Sequence, residues 1–159
     1  MKRSISTRLA CLTVTAVLVA MASCSRNIIY SHYKAVSIDG WQNTDTLTFT
    51  TDSVDHSTDC KATLHVRYTD LYPYRQVVLV VTQRVTPAGA CRTDTVTIEL
   101  TDDEGHTNSH GDIHHDMAAT LTTLTMDKGD AMTISVAHHM HQSLLPGITD
   151  IGIEMKVTP

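Results

Sequence analysis

The chain has 159 residues, of which 12 are basic and 17 acidic, giving a net charge of −5 with neutral histidines. That length corresponds to one domain. The acidic balance argues against a nucleic-acid partner and against electrostatic adhesion to anionic lipid, because both require a basic surface.

The first 23 residues have the character of a signal peptide for export. Three basic residues, Lys2, Arg3 and Arg8, precede a mainly apolar run over positions 9–22, which is shorter than the ~20 apolar residues of a transmembrane helix. Positions 21–24 read Met-Ala-Ser-Cys, a lipobox in which Cys24 becomes the lipid-bearing N-terminus. We predict a lipoprotein signal peptide over 1–23 and lipidation of Cys24. The alternative is an ordinary secretory signal cleaved near Ala22 or Ser23.

The predicted lipid determines where the mature chain, residues 24–159, would lie. Acyl chains hold a protein on a bilayer with about 0.8 kcal/mol for each buried CH₂ group. Ser25 rather than Asp follows the cysteine, which by the usual sorting pattern favours the outer membrane, and we expect the domain to face the periplasm. The mature chain keeps nine basic against 17 acidic residues, a net charge of −8, so the lipid is the expected membrane contact.

The mature chain shows the period-two alternation that is typical of strands with one buried face. The alternating segments are 46–50, 64–69, 95–100, 132–136 and 151–157. Positions 77–81 are continuously apolar, which predicts a strand covered on both faces, and 116–125 is the one stretch with the character of a short helix. Turn residues separate these segments. The pattern predicts a single all-β domain over 24–159, an antiparallel β-sandwich of the immunoglobulin-like kind.

Cys60 and Cys91 are the cysteines that remain once Cys11 leaves with the signal and Cys24 is lipidated. Two thiols in an oxidising compartment could form a disulfide. The bond also needs Cα atoms within about 7 Å of each other, which chain order alone does not establish. Two unpaired thiols are the alternative, and the sequence leaves both open.

A turn with three large side chains lies just before the continuous apolar run. Tyr72, Tyr74 and Arg75 surround Pro73, whose fixed φ makes the turn rigid. Tyrosine and arginine are favoured at protein–protein contacts, so these three residues are candidates for a partner contact. The alternative is that the tyrosines cap the end of the sandwich core.

Two groups of histidines are candidates for metal ligands. His106, His110 and His114 fall in a segment with glycine and asparagine, and His139 and His141 lie near the end of a later strand. Imidazole is a common zinc ligand, so a His-rich periplasmic metal-binding lipoprotein is the alternative function. No cysteine or carboxylate has metal-ligand spacing with these histidines. We therefore expect solvated loop histidines, with no metal and no other cofactor.

Motifs of enzymes are missing from the sequence. There is no GxSxG elbow, no HExxH, no CxxC and no glycine loop for phosphates. We expect a non-enzymatic protein without a small-molecule substrate. Its expected partners are the membrane, through the lipid, and other envelope proteins.

Several segments together resemble the gliding-motility lipoproteins of the GldH type. They are the lipobox cysteine, Trp41, the Leu-Thr-Phe segment 47–49, the turn 72–75, the segment 94–100 and the ending 145–152, which reads Leu-Pro-Gly-Ile-Thr-Asp-Ile-Gly. The resemblance covers essentially the whole mature chain. It implies a non-enzymatic outer-membrane lipoprotein associated with the envelope machinery that gliding bacteria use. It carries over no catalytic residue.

Overall fold

The computed structural model describes residues 27–102, 104 and 115–158, and the part it describes is built from strands. The strands are β1 (Ile28–Ala35), β2 (Trp41–Gln42), β3 (Leu47–Thr50), β4 (Thr58–Tyr68), β5 (Gln76–Thr86), β6 (Cys91–Glu99), β7 (His115–Thr120), β8 (Leu124–Met126), β9 (Ala131–His138), β10 (Leu144–Leu145) and β11 (Ile148–Thr158). Within these residues no helix has the length and apolar character needed to cross a bilayer. The signal peptide, Cys24, His106, His110 and His114 lie outside the described residues.

The long strands form two antiparallel sheets. In the first sheet the order is β1-β11-β4-β7, with β8 pairing with another part of β4, and in the second it is β3-β9-β5-β6. The short strands β2 and β10 pair with each other. Side chains from both sheets form one core, in which Leu64, Leu79 and Ile153 are fully buried. The predicted antiparallel β-sandwich is confirmed.

The strand order within this sandwich is that of a jelly roll. β1 pairs with β11, the last strand, and the chain changes sheet between β1 and β3, β3 and β4, β4 and β5, β6 and β7, β8 and β9, and β9 and β11. Such repeated crossing characterises the double Greek key, whereas in an immunoglobulin fold the first strand lies beside the second. Alternation identifies the buried face of a strand but not its neighbour. The immunoglobulin-like connectivity is therefore replaced here by a jelly-roll one.

β5 is a central strand that is buried on one face and only partly covered on the other. Val77, Leu79 and Val81 are buried, whereas Val78 and Val80 on the outer face are half-buried. The prediction that 77–81 is covered on both faces is wrong. The two outer valines are partly shielded by the neighbouring strands β6 and β9, and β-branched side chains suit such a pleated, half-covered surface.

The segment predicted as a short helix is extended. β7 pairs with residues 63–68 of β4 and β8 with residues 58–60. At the break between β7 and β8 the buried Leu121 donates its N–H to the Ala62 carbonyl at 2.9 Å. The short-helix prediction for 116–125 is therefore wrong, because pairing with β4 overrides the weak local preference.

The course of β11 distinguishes the two ends of the sandwich. Its first residue, Ile148, pairs with Tyr68 at the end of β4, while Lys156 pairs with Ile28 at the start of β1. The turn after Tyr68 therefore lies at one end, here called the distal end, and Asn27 lies at the other, here called the base. At ~3.3 Å per residue, the length of β11 separates the two ends by about 33 Å.

Candidate functional site

Three tyrosines form a stack at the distal end, in and beside the turn 69–75, here called the Tyr turn. The rings of Tyr68 and Tyr72 meet edge to face at 6.3 Å, and those of Tyr72 and Tyr74 at 5.5 Å. The Tyr68 hydroxyl donates to the Leu100 carbonyl at 2.9 Å, and the Tyr72 hydroxyl donates to the Gln76 carbonyl at 3.0 Å. The stack thereby ties the Tyr turn to the ends of β4, β5 and β6.

Tyr72 and Tyr74 have different surroundings within this stack. Tyr72 is 8 % exposed, and burial raises the pKa of its phenol, with the neighbouring Tyr74 adding to the rise. Tyr74 is half-buried and Arg75 is exposed. Tyr72 therefore packs in the core, as the capping interpretation expects. Of the three residues predicted as a partner contact, Tyr74 and Arg75 are the ones whose side chains are accessible at the surface.

His115 supports the stack from the first sheet. It is the first residue of β7 and only 3 % exposed. Its ring lies 5.0 Å from that of Tyr68, and Nε2 is 3.0 Å from Oδ1 of the exposed Asp70. Its role in this structure is to pack beneath the Tyr turn.

The ending 145–152 meets the Tyr turn in space. Gly147 has φ +80°, and a Cβ placed on it would lie 2.3 Å from the Tyr72 nitrogen. The Thr69 N–H donates to the Gly147 carbonyl at 2.8 Å. Only a residue without a side chain allows the two backbones to approach so closely. Two of the segments on which the family resemblance rests, the turn 72–75 and the ending 145–152, are thus one structural unit.

A shallow depression of about 600 Å³ opens beside the Tyr turn. It is lined by Pro73, Tyr74, Arg75, Gln76, Glu99 and Thr101. The Arg75 carbonyl accepts from the N–H groups of Leu100 (2.8 Å) and Thr101 (3.2 Å), which joins the two sides of the depression. An aromatic ring beside charged and amide groups suits contact with a polypeptide surface. Sequence reasoning missed Glu99 and Thr101, because their proximity depends on the β5–β6 register.

A second cluster, also missed from the sequence, covers the outer face of the first sheet. The Arg67 guanidinium lies 3.9 Å from the centre of the Tyr33 ring and donates through Nε to Asp116 at 3.2 Å. His65 Nδ1 is 3.2 Å from the same carboxylate. The Tyr33 ring lies against Gly152, where an added Cβ would be 2.4 Å from it. These groups bind one another across four strands, and their partial exposure keeps each ion pair weak.

The histidines at the end of β9 do not converge. His139 and His141 are exposed and follow the strand, whereas His138 is buried inside it. Within residues 27–102, 104 and 115–158, no group of three or more His, Cys, Asp or Glu side chains is arranged to hold a metal ion. The predicted candidates His106, His110 and His114 lie outside that part of the chain.

His138 instead joins Trp41 at the distal end of the core. Its Nε2 donates to the Trp41 carbonyl at 3.2 Å, its Nδ1 accepts from the Met140 N–H at 3.4 Å, and the His138 and Trp41 rings meet edge to face at 5.3 Å. This is the bonding pattern of a neutral imidazole. Burial lowers the pKa of His138 from its ordinary value of 6.5.

This arrangement gives a prediction for stability against pH. Because the folded-state pKa lies below 6.5, the contribution of neutral His138 is complete above pH 6.5 and decreases as the pH falls toward the folded-state pKa. We expect His138→Gln to lose less stability than the wild type on acidification through this window. Urea unfolding at a series of pH values measures the effect. His139→Gln is the exposed control, and an equal flattening of its profile would contradict the assignment to His138.

The two cysteines of the described chain are both free. Cys60 is buried in β4 of the first sheet, and Cys91 is exposed at the start of β6 in the second. The disulfide that the sequence leaves open is not formed in this structure, because one thiol points into the core and the other toward solvent. Burial raises the pKa of the Cys60 thiol, with a smaller contribution from Asp59.

Comparison with known proteins gives distant structural neighbours and one family. The solved structures that it resembles include the globular domain of zebrafish complement 1qA protein (TM-score 0.47, 9 % identity, 84 % of this chain and 98 % of that one). A family GH115 4-O-methyl-α-glucuronidase aligns at TM-score 0.48 and 11 % identity over 86 % of this chain, which spans 18 % of the glucuronidase. A search of curated proteins finds no match. The family model described as GldH lipoprotein matches residues 28–155. The chain therefore belongs to the GldH lipoprotein family.

Proposed function

We propose that this protein is a non-enzymatic outer-membrane lipoprotein, anchored through Cys24, which presents its distal end to another protein of the periplasmic envelope. Membership of a lipoprotein family supports attachment to the membrane through lipid. The observation that carries the proposal is the position of the N-terminus. Asn27 lies at the base, and the Tyr turn lies at the opposite end.

The short connection to the lipid supports this orientation. Two residues, Ser25 and Arg26, separate Cys24 from Asn27, and the three steps along an extended chain between them span at most about 11 Å. The base would therefore lie close to the membrane surface. The Tyr turn would lie about 33 Å farther out, within reach of a periplasmic partner and away from lipid headgroups.

Exposed apolar side chains at the distal end support a protein partner. Of the five exposed large apolar side chains in the described residues, three lie at this end: Ile38 is fully exposed, Leu71 is 76 % exposed and Leu144 is 42 % exposed, whereas Ile28 and Ile29 lie at the base. Ile38 follows β1, Leu71 lies in the Tyr turn, and Leu144 contacts Gly40 of the β1–β2 connection. Apolar residues that gather at one end of a domain commonly mark an interaction site. The proposed partner is a component of the envelope machinery that GldH-type proteins serve.

Truncation of Tyr74 tests the proposed contact. We expect Tyr74→Ala to weaken partner binding by about 2 kcal/mol, roughly 30-fold, as for a central interface tyrosine. In-cell crosslinking followed by quantitative mass spectrometry of the recovered partner measures the change. Tyr33→Ala is the matched control, since Tyr33 is also half-buried but lies on the outer face of the first sheet. Equal recovery with Tyr74→Ala and wild type, at similar melting temperatures, would contradict this role.

A further inference from the structure

The two sheets have four edge strands, and three of them are protected against pairing. β1 carries a register shift between Ile28 and Tyr30. The Lys34 ammonium of β1 donates to the Thr48 carbonyl of β3 at 2.5 Å, so a lysine side chain lies between these two edges. The β7–β8 edge is interrupted, and β3 has only four residues. Bulges, lysines, breaks and short length are the usual means by which proteins prevent unwanted strand pairing.

β6 is different from the other three edges. It has nine residues and pairs with β5 without a register shift from Arg84↔Cys91 to Gln76↔Glu99. It contains no proline and no lysine. The Arg92 guanidinium binds the Asp94 carboxylate at 2.7 Å and the Thr122 hydroxyl donates to the same carboxylate at 3.2 Å, so the Asp94 charge is satisfied within the domain. A long, regular edge of this kind is a template for a further strand.

The hydrogen bonds at both ends of the β5–β6 ladder show which backbone groups face outward. The Leu100 N–H donates to the Arg75 carbonyl, and the Val85 N–H donates to the Ala90 carbonyl, both at 2.8 Å. Hydrogen-bonded pairs alternate with non-bonded pairs in an antiparallel ladder. The even-numbered residues of β6 therefore bond to β5. The outward N–H and C=O groups belong to Cys91, Thr93, Thr95, Thr97 and Glu99.

These outward N–H and C=O groups are suited to bind an extended polypeptide strand. In the described part of the chain, β6 pairs with β5 alone, and no other backbone bond is made by these five residues. A row of alternating donors and acceptors at a two-residue repeat is complementary to an extended polypeptide backbone. The threonine side chains lie exposed on the outer face, where the Thr93 hydroxyl is 2.9 Å from that of Thr82. Hydroxyl or β-branched side chains of a partner strand would pair well with them.

We propose that β6 accepts an extended segment of another envelope protein as an additional strand, a proposal that rests on the proposed function above. The segment would pass along Thr93, Thr95 and Thr97 to the depression at Glu99, where Tyr74 and Arg75 lie. A second copy fits less well. Antiparallel pairing of β6 with itself would place the two bases, and hence the two lipid anchors, at opposite ends of the dimer.

Site-specific photocrosslinking in cells tests this proposal in the full-length lipoprotein. A photoreactive residue replaces Thr93, Thr95 or Thr97 in turn, and the linked peptides are sequenced by mass spectrometry. We expect all three probes to label one segment of one protein, at positions that move by two residues for each two-residue step along β6. The control probe replaces Thr133, which lies on the same outer face but in the internal strand β9, and should label nothing in register.

Two variants of Thr95 distinguish the contribution of its backbone N–H to partner binding from that of its side chain. Thr95→Pro removes an outward N–H that makes no bond to β5, a position where an edge strand tolerates proline. We expect it to reduce crosslinking at Thr97 by about five- to tenfold, the equivalent of a lost hydrogen bond. Thr95→Val keeps the N–H and should remain within about twofold of the wild type. Equal crosslinking by both variants would overturn the proposal.

The remaining outcomes also test whether β6 accepts an additional strand. Labelling of a second copy of this chain, or of scattered sites without register, overturns strand addition. A partner captured from a probe at Arg75 but from none on β6 overturns strand addition and leaves the proposed function standing, whereas no capture from either position counts against both. If Thr95→Pro does not fold, hydrogen exchange on the detergent-solubilised lipoprotein replaces it. The amides of Thr93, Thr95 and Thr97 must then become protected when the labelled segment, made as a synthetic peptide, is added.

Discussion

Cys24→Ala is expected to release the mature protein from the membrane fraction. The acyl chains on Cys24 would supply the membrane affinity, at about 0.8 kcal/mol per buried CH₂. Nine basic against 17 acidic residues in the mature chain give no attraction to anionic lipid. The result should be a change from almost entirely membrane-bound to almost entirely soluble. Fractionation of cells followed by immunoblotting measures it, with mass spectrometry to identify the N-terminal residue.

Controls separate lipidation from other effects of cysteine loss. Cys91→Ala removes an exposed thiol at the start of β6 and should remain with the membranes. The N-terminal peptide of the wild type should carry a diacylglyceryl cysteine. An unmodified N-terminus near Ala22 or Ser23 would contradict the lipobox interpretation and favour an ordinary secretory signal.

Gly147→Ala is expected to be among the most destabilising single-methyl changes in the domain. The backbone of Gly147 has φ +80°, and its added Cβ would lie 2.3 Å from the Tyr72 nitrogen and 2.7 Å from the Leu71 carbonyl carbon. A left-handed conformation costs an alanine about 1–2 kcal/mol. Displacement of the Tyr turn adds to this, for a total of about 3–4 kcal/mol. The expected drop in melting temperature is about 10 °C.

Gly129→Ala is the matched control for this prediction. Gly129 has φ +93°, but nothing lies within 4 Å of its added Cβ, so only the backbone cost of about 1–2 kcal/mol applies. Urea unfolding of both variants isolates the contact between Gly147 and the Tyr turn. A similar loss of stability in the two variants would show that this contact contributes little. A larger loss for Gly147→Ala, with weaker partner recovery, would link the fold of the turn to its function.

Most of the strands could be predicted from the sequence, and the two predictions that were wrong have a common physical reason. Alternation correctly indicated the buried faces of β4, β9 and β11, because a pleated strand places every second side chain on one side. The apolar run 77–81 and the stretch 116–125 were assigned wrongly. In both cases the environment is supplied by neighbouring strands that are distant in sequence, and local composition carries no information about them.

The candidate site was predictable only in part. Tyr72, Tyr74 and Arg75 are recognisable from the sequence as large side chains around a proline. Their division into a buried ring and an accessible pair depends on Gly147, which lies more than 70 residues later. The cluster of Tyr33, Arg67 and Asp116 likewise exists only through the pairing of β1, β11, β4 and β7.

The sequence by itself predicted an export signal with a lipobox at Cys24, and it determined that the mature part is an all-β sandwich and that the chain resembles the GldH lipoproteins. These features are local: a basic and apolar N-terminus, a period of two, and short motifs. The tertiary structure alone decided the jelly-roll strand order, the contact between the Tyr turn and Gly147, and the unprotected edge at β6. Each of these depends on which strands lie side by side, and antiparallel pairing is set by packing between segments far apart in the chain.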